Sequence, residues 1–107
     1  MLVCRFHRHA SGRLCGFELS GHAPGAGKGS NLVCTGVTTL AQTCVSSLTT
    51  LLGLAPEIRQ GESGYLGCRL AGDPGEQADL LFRTMAVGLE YLNRTGEKPG
   101  IAVEYTN

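Results

Sequence analysis

The chain has 107 residues, enough for one domain with a modest core, since 42% of it is apolar. Nine basic and nine acidic residues leave no formal net charge, which excludes the electrostatic footprint of a nucleic-acid or anionic-membrane binder. The five cysteines, at 4, 15, 34, 44 and 68, are odd in number and lack C-x-x-C spacing, so free thiols in a reducing cytoplasm are expected rather than a disulfide scaffold.

The opening MLVCRFHRHA carries charges and histidines where a secretory segment needs an apolar run. No later stretch is apolar for long enough to span a membrane. Residues 2–9 alternate instead. Leu2, Cys4 and Phe6 share one face and Val3, Arg5, His7 and His9 the other, the period of a half-buried strand. Ser11-Gly12 signals a turn. Residues 14–20 alternate again, with Cys15, Phe17 and Leu19 on the apolar face. A tight turn at 11–12 pairs Phe6 with Phe17 and Cys4 with Leu19, so both pairs fall on the core side. Arg5, Arg8 and Arg13 then read as charges on a solvated hairpin.

Residues 21–30, GHAPGAGKGS, contain four glycines and a proline and are expected to form a loop. From Asn31 to Leu52, Val33, Val37, Leu40, Ala41, Cys44, Leu48, Leu51 and Leu52 recur at helical spacing. Ser30 or Asn31 can cap that helix and Gly53 can end it. Residues 57–61 and 65–71 read as a second hairpin around Glu62-Ser63-Gly64, with Leu66, Cys68 and Leu70 on one face. Asp73-Pro74-Gly75-Glu76 is a helix start, with Asp73 as cap and Pro74 at the first position. Ala78, Leu81, Phe82, Met85, Leu89 and Leu92 supply the buried stripe of the helix, and Gly96 stops it. Ile101, Val103 and Tyr105 give a last strand. The expected fold is therefore a single α/β (α+β) domain over 1–107, of order ββαββαβ, with one mixed sheet packed against two helices.

One pair of residues carries chemistry. His22 closes the second strand and Cys34 falls in the first turn of the expected helix, separated by little more than the glycine loop. With Asn31 as cap, Cys34 is the third residue inside the helix, where unpaired amides and the positive dipole end stabilise a thiolate. A neighbouring imidazole accepts the thiol proton. Helix-start amides, including that of Cys34, can hold an oxyanion. Asn31 is placed to orient the ring. Thr38, one turn beyond Cys34, shares its face. Gly21, Ala23, Gly25, Gly27 and Gly29 form a loop that lets a peptide backbone approach. Against this stands the plainer reading of a cysteine at a helix start as a small buried hydrophobe.

The run Gly21-His22-Ala23, a glycine-containing loop, then Gly29-Ser30-Asn31-Leu32-Val33-Cys34 resembles the signature of the bacterial ribosomal-processing cysteine proteases, the Prp family. That family shows GHA, a short loop, and G-x-D-I-V-C. The resemblance extends over the whole chain in length and element order. It implies a dyad of His22 as proton acceptor and Cys34 as nucleophile. It implies a substrate too, the precursor of the twenty-seventh large-subunit ribosomal protein, whose N-terminal extension is cut off after an aromatic residue. It implies a homodimer, and a glycine loop that orders over the bound peptide. Two positions depart from the pattern. Asn31 stands where the family has Asp, and Thr38 where it has Ser. Threonine keeps the hydroxyl. Asn31 loses a charge that would favour the imidazolium.

Other chemistries are weaker. His7 and His9 could bind zinc loosely from one strand face, but no further ligand follows at metal spacing, so no metal and no cofactor is expected. Lys28-Gly29-Ser30 breaks the P-loop pattern. Cys4, Cys15, Cys44 and Cys68 all fall on expected core faces and read as inert thiols, with Cys44 and Cys68 near enough to touch. The alternative to an enzyme is a non-enzymatic ribosome-assembly or peptide-binding module with a decayed site, for which Asn31 is the motivating residue.

Overall fold

The computed structural model describes residues 2–21, 28–61, 65–95 and 100–107, the side chains of 28–34 excepted. Seven elements follow in the expected order: β1 (Leu2–Arg8), β2 (Leu14–Gly21), α1 (Lys28–Thr50), β3 (Glu57–Gln60), β4 (Leu66–Arg69), α2 (Gly75–Thr95) and β5 (Ile101–Thr106). The strands form one mixed sheet of order β3-β4-β2-β1-β5, with β5 parallel to β1 and every other pairing antiparallel.

The first hairpin has the expected register, Cys4 opposite Leu19 and Phe6 opposite Phe17. Period two and a short turn leave it little choice, because a one-residue slip would turn Phe6 and Phe17 to the polar face. The two rings lie 6.3 Å apart, and Phe17 meets Phe82 of α2 edge-on at 6.2 Å. All three are fully buried, and truncating any one would cost about 3–5 kcal/mol.

Cys15 departs from expectation. The register shifts between His7 and Arg8, so that Arg8 faces Leu14 and Cys15 is the extra residue of a bulge. Leu14 therefore joins the core cluster in its place. Cys15 is still buried, and its thiol donates to the His7 carbonyl at 3.5 Å.

α1 and α2 pack antiparallel on one face of the sheet. Gly36 lies against Leu92 and Gly88 against Leu40, where a β-carbon on Gly88 would stand 2.6 Å from a Leu40 methyl. The tighter of the two, at Gly88, lets the helices approach more closely than a side chain there would allow. α1 begins at Lys28, three residues before the expected cap, and ends at Thr50 rather than Leu52. Gly53, at φ +65°, turns the chain out, and the Leu54 amide folds back onto the Leu48 carbonyl at 3.0 Å.

α2 begins at Gly75, one residue after the expected Pro74. Asp73 still serves its start, accepting the Gly75 amide at 3.0 Å. Glu76 pairs with Arg13 at 3.6 Å instead of reaching back to the cap. β1, β3 and β4 each stop short of the expected bounds, at Arg8, Gln60 and Arg69. The Glu62-Ser63-Gly64 turn and the Gly96 stop lie outside the described residues.

Candidate active site

β2 ends at Gly21, whose φ of +84° suits glycine. A series of contacts joins that point to the beginning of α1. Gly21 lies opposite Leu2, and Leu2 lies opposite Ile101. Asn93 holds Ile101 through two hydrogen bonds, and the neighbouring Leu92 covers Gly36 of α1. The end of β2 and the first turns of α1 thus share one end of the domain.

His22, Ala23, Gly25 and Gly27 lie outside the described residues, as do the side chains of Asn31 and Cys34. The backbone of Cys34 lies in α1 as the seventh residue of the helix, not the third. Two expectations are corrected by this. Gly29 belongs to the helix rather than to the loop, and Asn31 does not cap it. Once a helix is nucleated each further residue adds a hydrogen bond, and this outweighs the roughly 1 kcal/mol a glycine costs inside it. The amides a helix leaves unpaired are its first four, so here they precede Cys34, whose own amide falls within the ladder. Thr38 is exposed, one turn further along α1.

The other cysteines have settled roles. Burial pushes the Cys4 thiol up to about 12, with Cys44 nearby adding to the shift. Cys44 rises to about 12, chiefly by burial and then through Cys68, and Cys68 rises to about 11 by burial. Cys44 and Cys68 both belong to the core cluster, and the two are free thiols. None of the three ionises at neutral pH, and a protonated thiol is a poor nucleophile.

Two histidines also have partners. His7 Nε2 lies 2.9 Å from Glu18 Oε1 and Nδ1 lies 3.1 Å from Thr106 Oγ1, with the side chain 14% exposed. His9 Nδ1 is 2.9 Å from Ser11 Oγ and accepts the Ser11 amide. Among the described residues no three potential ligands converge as a metal cluster would require.

Sequence reasoning missed Asn93, Gly36 and Gly88, the residues that set where α1 lies. A signal existed for the glycines, since a glycine in a helix interior is costly and usually marks close packing.

Comparison with known proteins gives three results. A family model described as cysteine protease Prp matches residues 1–99. The ribosomal processing cysteine protease Prp of Bacillus subtilis (strain 168) is 33% identical over 99 residues, 88% of either chain. Among solved structures, the essential ribosomal processing protease Prp from S. aureus, in complex with a covalently linked product peptide, superposes with a TM-score of 0.83 at 22% identity. That match covers 99% of this chain and 100% of the other. The same S. aureus protease with a substrate peptide gives 0.84 at 20%, over the same shares of the two chains.

Proposed function

The chain belongs to the cysteine protease Prp family and is a cysteine protease, and from that premise we propose that it removes the N-terminal extension of the twenty-seventh large-subunit ribosomal protein. The cut falls after an aromatic residue. The observation that carries this reading is the pair of sequence blocks, Gly21-His22-Ala23 and Gly29 to Cys34, at the family's separation. The shared position of the end of β2 and the start of α1 supports it.

In this mechanism His22 takes the proton of Cys34, and the thiolate attacks the scissile carbonyl carbon. The resulting tetrahedral oxyanion collapses as the amine departs. His22 gives the proton to the departing amine, leaving a thioester. Water, deprotonated by His22, then hydrolyses the thioester and restores the thiol. Asn31 orients the imidazole as an acceptor, and the Thr38 hydroxyl hydrogen-bonds at the edge of the site. Residues 21–29 line the path of the peptide. The enzyme works in the cytoplasm, for which the four free thiols among the described cysteines speak, and as a homodimer.

The test is incubation with the precursor ribosomal protein, read by mass spectrometry. Wild-type enzyme should release a single N-terminal peptide ending in an aromatic residue. Cys34→Ser and His22→Ala should leave the precursor intact, and Cys34→Ser should still bind it. Cleavage by Cys34→Ser at the wild-type rate would sink the assignment.

A further inference from the structure

A cavity of about 500 Å³ opens at the end of the sheet where β1 and β4 stop and β3 begins, lined in part by Arg8, His9, Glu57, Arg69 and Leu70. Its volume falls within the range of small-ligand sites. Leu2 and Gly21 mark the opposite end of β1 and β2. The length of β1, about 20 Å at a strand's rise per residue, therefore separates the cavity from the candidate active site.

The cavity gathers cations that nothing else matches. Among the described residues, Arg5, Arg13, Arg59 and Arg83 each pair with a carboxylate at 3.2 Å or less. Arg8 and Arg69 pair with none, and both line this cavity. They come from the strands on either side of β2, so a ligand between them meets a guanidinium from each side. The Arg8 guanidinium lies over the Tyr105 ring, 5.5 Å from its centre. Stacking of this kind fixes the plane and leaves the N–H edge free. Two acids lie nearby, and both are occupied. Glu57 accepts Arg59 Nε at 2.8 Å. Asp73, whose charge reaches His9, accepts the Gly75 amide at 3.0 Å and pairs with Arg13 at 3.2 Å.

We propose that this cavity binds a small organic phosphate monoester, its phosphate held between the Arg8 and Arg69 guanidiniums. A guanidinium presents paired planar donors that match phosphate oxygens two at a time. Leu70, Ala55 and Ala71 supply apolar wall beside these charges, which suits an organic body better than a bare ion. A nucleic-acid backbone fits less well, because it is held through many phosphates along a surface, and two guanidiniums in one concavity meet one phosphate. The proposal stands independently of which peptide the enzyme cuts.

The test is titration of the ¹⁵N-labelled full chain at low salt with inorganic phosphate, ribose 5-phosphate and AMP, followed by amide shifts, with circular dichroism confirming that each variant is folded. At least one monoester should bind with a Kd of about 1 mM or tighter, and its shifts should cluster at residues 8–10 and 69–72. Inorganic phosphate should bind more weakly, since it leaves the apolar wall uncovered. Arg8→Gln and Arg69→Gln should each weaken the monoester on the order of tenfold, the loss of a charge-assisted hydrogen bond. Arg94→Gln, which removes an equal charge outside the cavity, should leave binding unchanged. The proposal is overturned if both monoesters bind more weakly than that, if inorganic phosphate binds as tightly as either, or if Arg94→Gln weakens binding as much as Arg69→Gln. Tighter binding of a single-stranded oligonucleotide without terminal phosphates would overturn it in favour of a nucleic-acid surface.

Discussion

The side-chain amide of Asn93, near the end of α2, satisfies both backbone groups of Ile101 at the start of β5. Its Nδ2 donates to the Ile101 carbonyl at 2.6 Å, and its Oδ1 accepts the Ile101 amide at 3.2 Å. β5 is an edge strand, and its unpaired backbone would otherwise face outward. The same clamp ties α2 to the end of the sheet at which β2 stops. Asn93→Ala should cost about 1–3 kcal/mol, because it removes two hydrogen bonds and leaves two partly buried backbone groups unmatched. Urea unfolding checks the size, and an unchanged midpoint would contradict the role given to this residue.

Two glycines should respond differently to alanine. A β-carbon on Gly16 would run into the Cys68 carbonyl oxygen and stand 3.0 Å from the Arg69 Cα. Both obstacles are backbone in the paired strand β4, so neither can rotate away. Gly16→Ala should destabilise by about 1–3 kcal/mol or more. At Gly36 the nearest atoms are the Leu92 methyls at 3.0 and 3.2 Å, the mobile end of a side chain. The roughly 1 kcal/mol that alanine gains over glycine within a helix should offset that crowding. Thermal midpoints of the two variants should therefore separate clearly, with Gly36→Ala near the wild type.

Alkaline pH should weaken the fold. Cys4 and Cys44 are raised from 9.0 to about 12 and Cys68 to about 11. A folded-state value above the unfolded one means the unfolded chain gives up its proton first. The stabilisation is thus fully present below pH 9 and is lost as pH climbs from 9 towards 11 or 12. Each such thiol contributes a slope of up to about 1.4 kcal/mol per pH unit. Urea midpoints at pH 8 and pH 10 should fall for the wild type, and fall less for Cys44→Ala, which lacks one of the three groups.

The proposed nucleophile should be distinguishable by alkylation. Iodoacetamide at neutral pH should modify Cys34 well before the other four cysteines, with peptide mapping as the readout. Asn31→Asp should move that reaction to lower pH by roughly one unit, since a carboxylate beside the imidazolium, where the proposed mechanism puts residue 31, favours the charged pair. It should also raise kcat/KM. Equal, slow labelling of all five thiols would instead favour a peptide-binding module without catalysis.

Composition and periodicity alone were enough for the class of fold, the order of its elements and the hairpin register. Those features rest on local rules: alternation in a strand, helical spacing, and turn residues such as Gly12 and Gly53. The proposed dyad rests on sequence as well, on the separation of the blocks that hold His22 and Cys34. What tertiary structure decided was everything that depends on neighbours distant in the chain. The bulge that exchanges Cys15 for Leu14 arises from fitting β2 to β1. The extension of α1 back to Lys28 comes from cooperative growth of a helix, which local glycine content underestimates. The place of β5 beside β1, and of α1 against α2, follows from the Asn93 clamp and the glycine contacts at 36 and 88. No periodicity along the chain encodes these, because each is a fit between surfaces that meet only once the domain has closed.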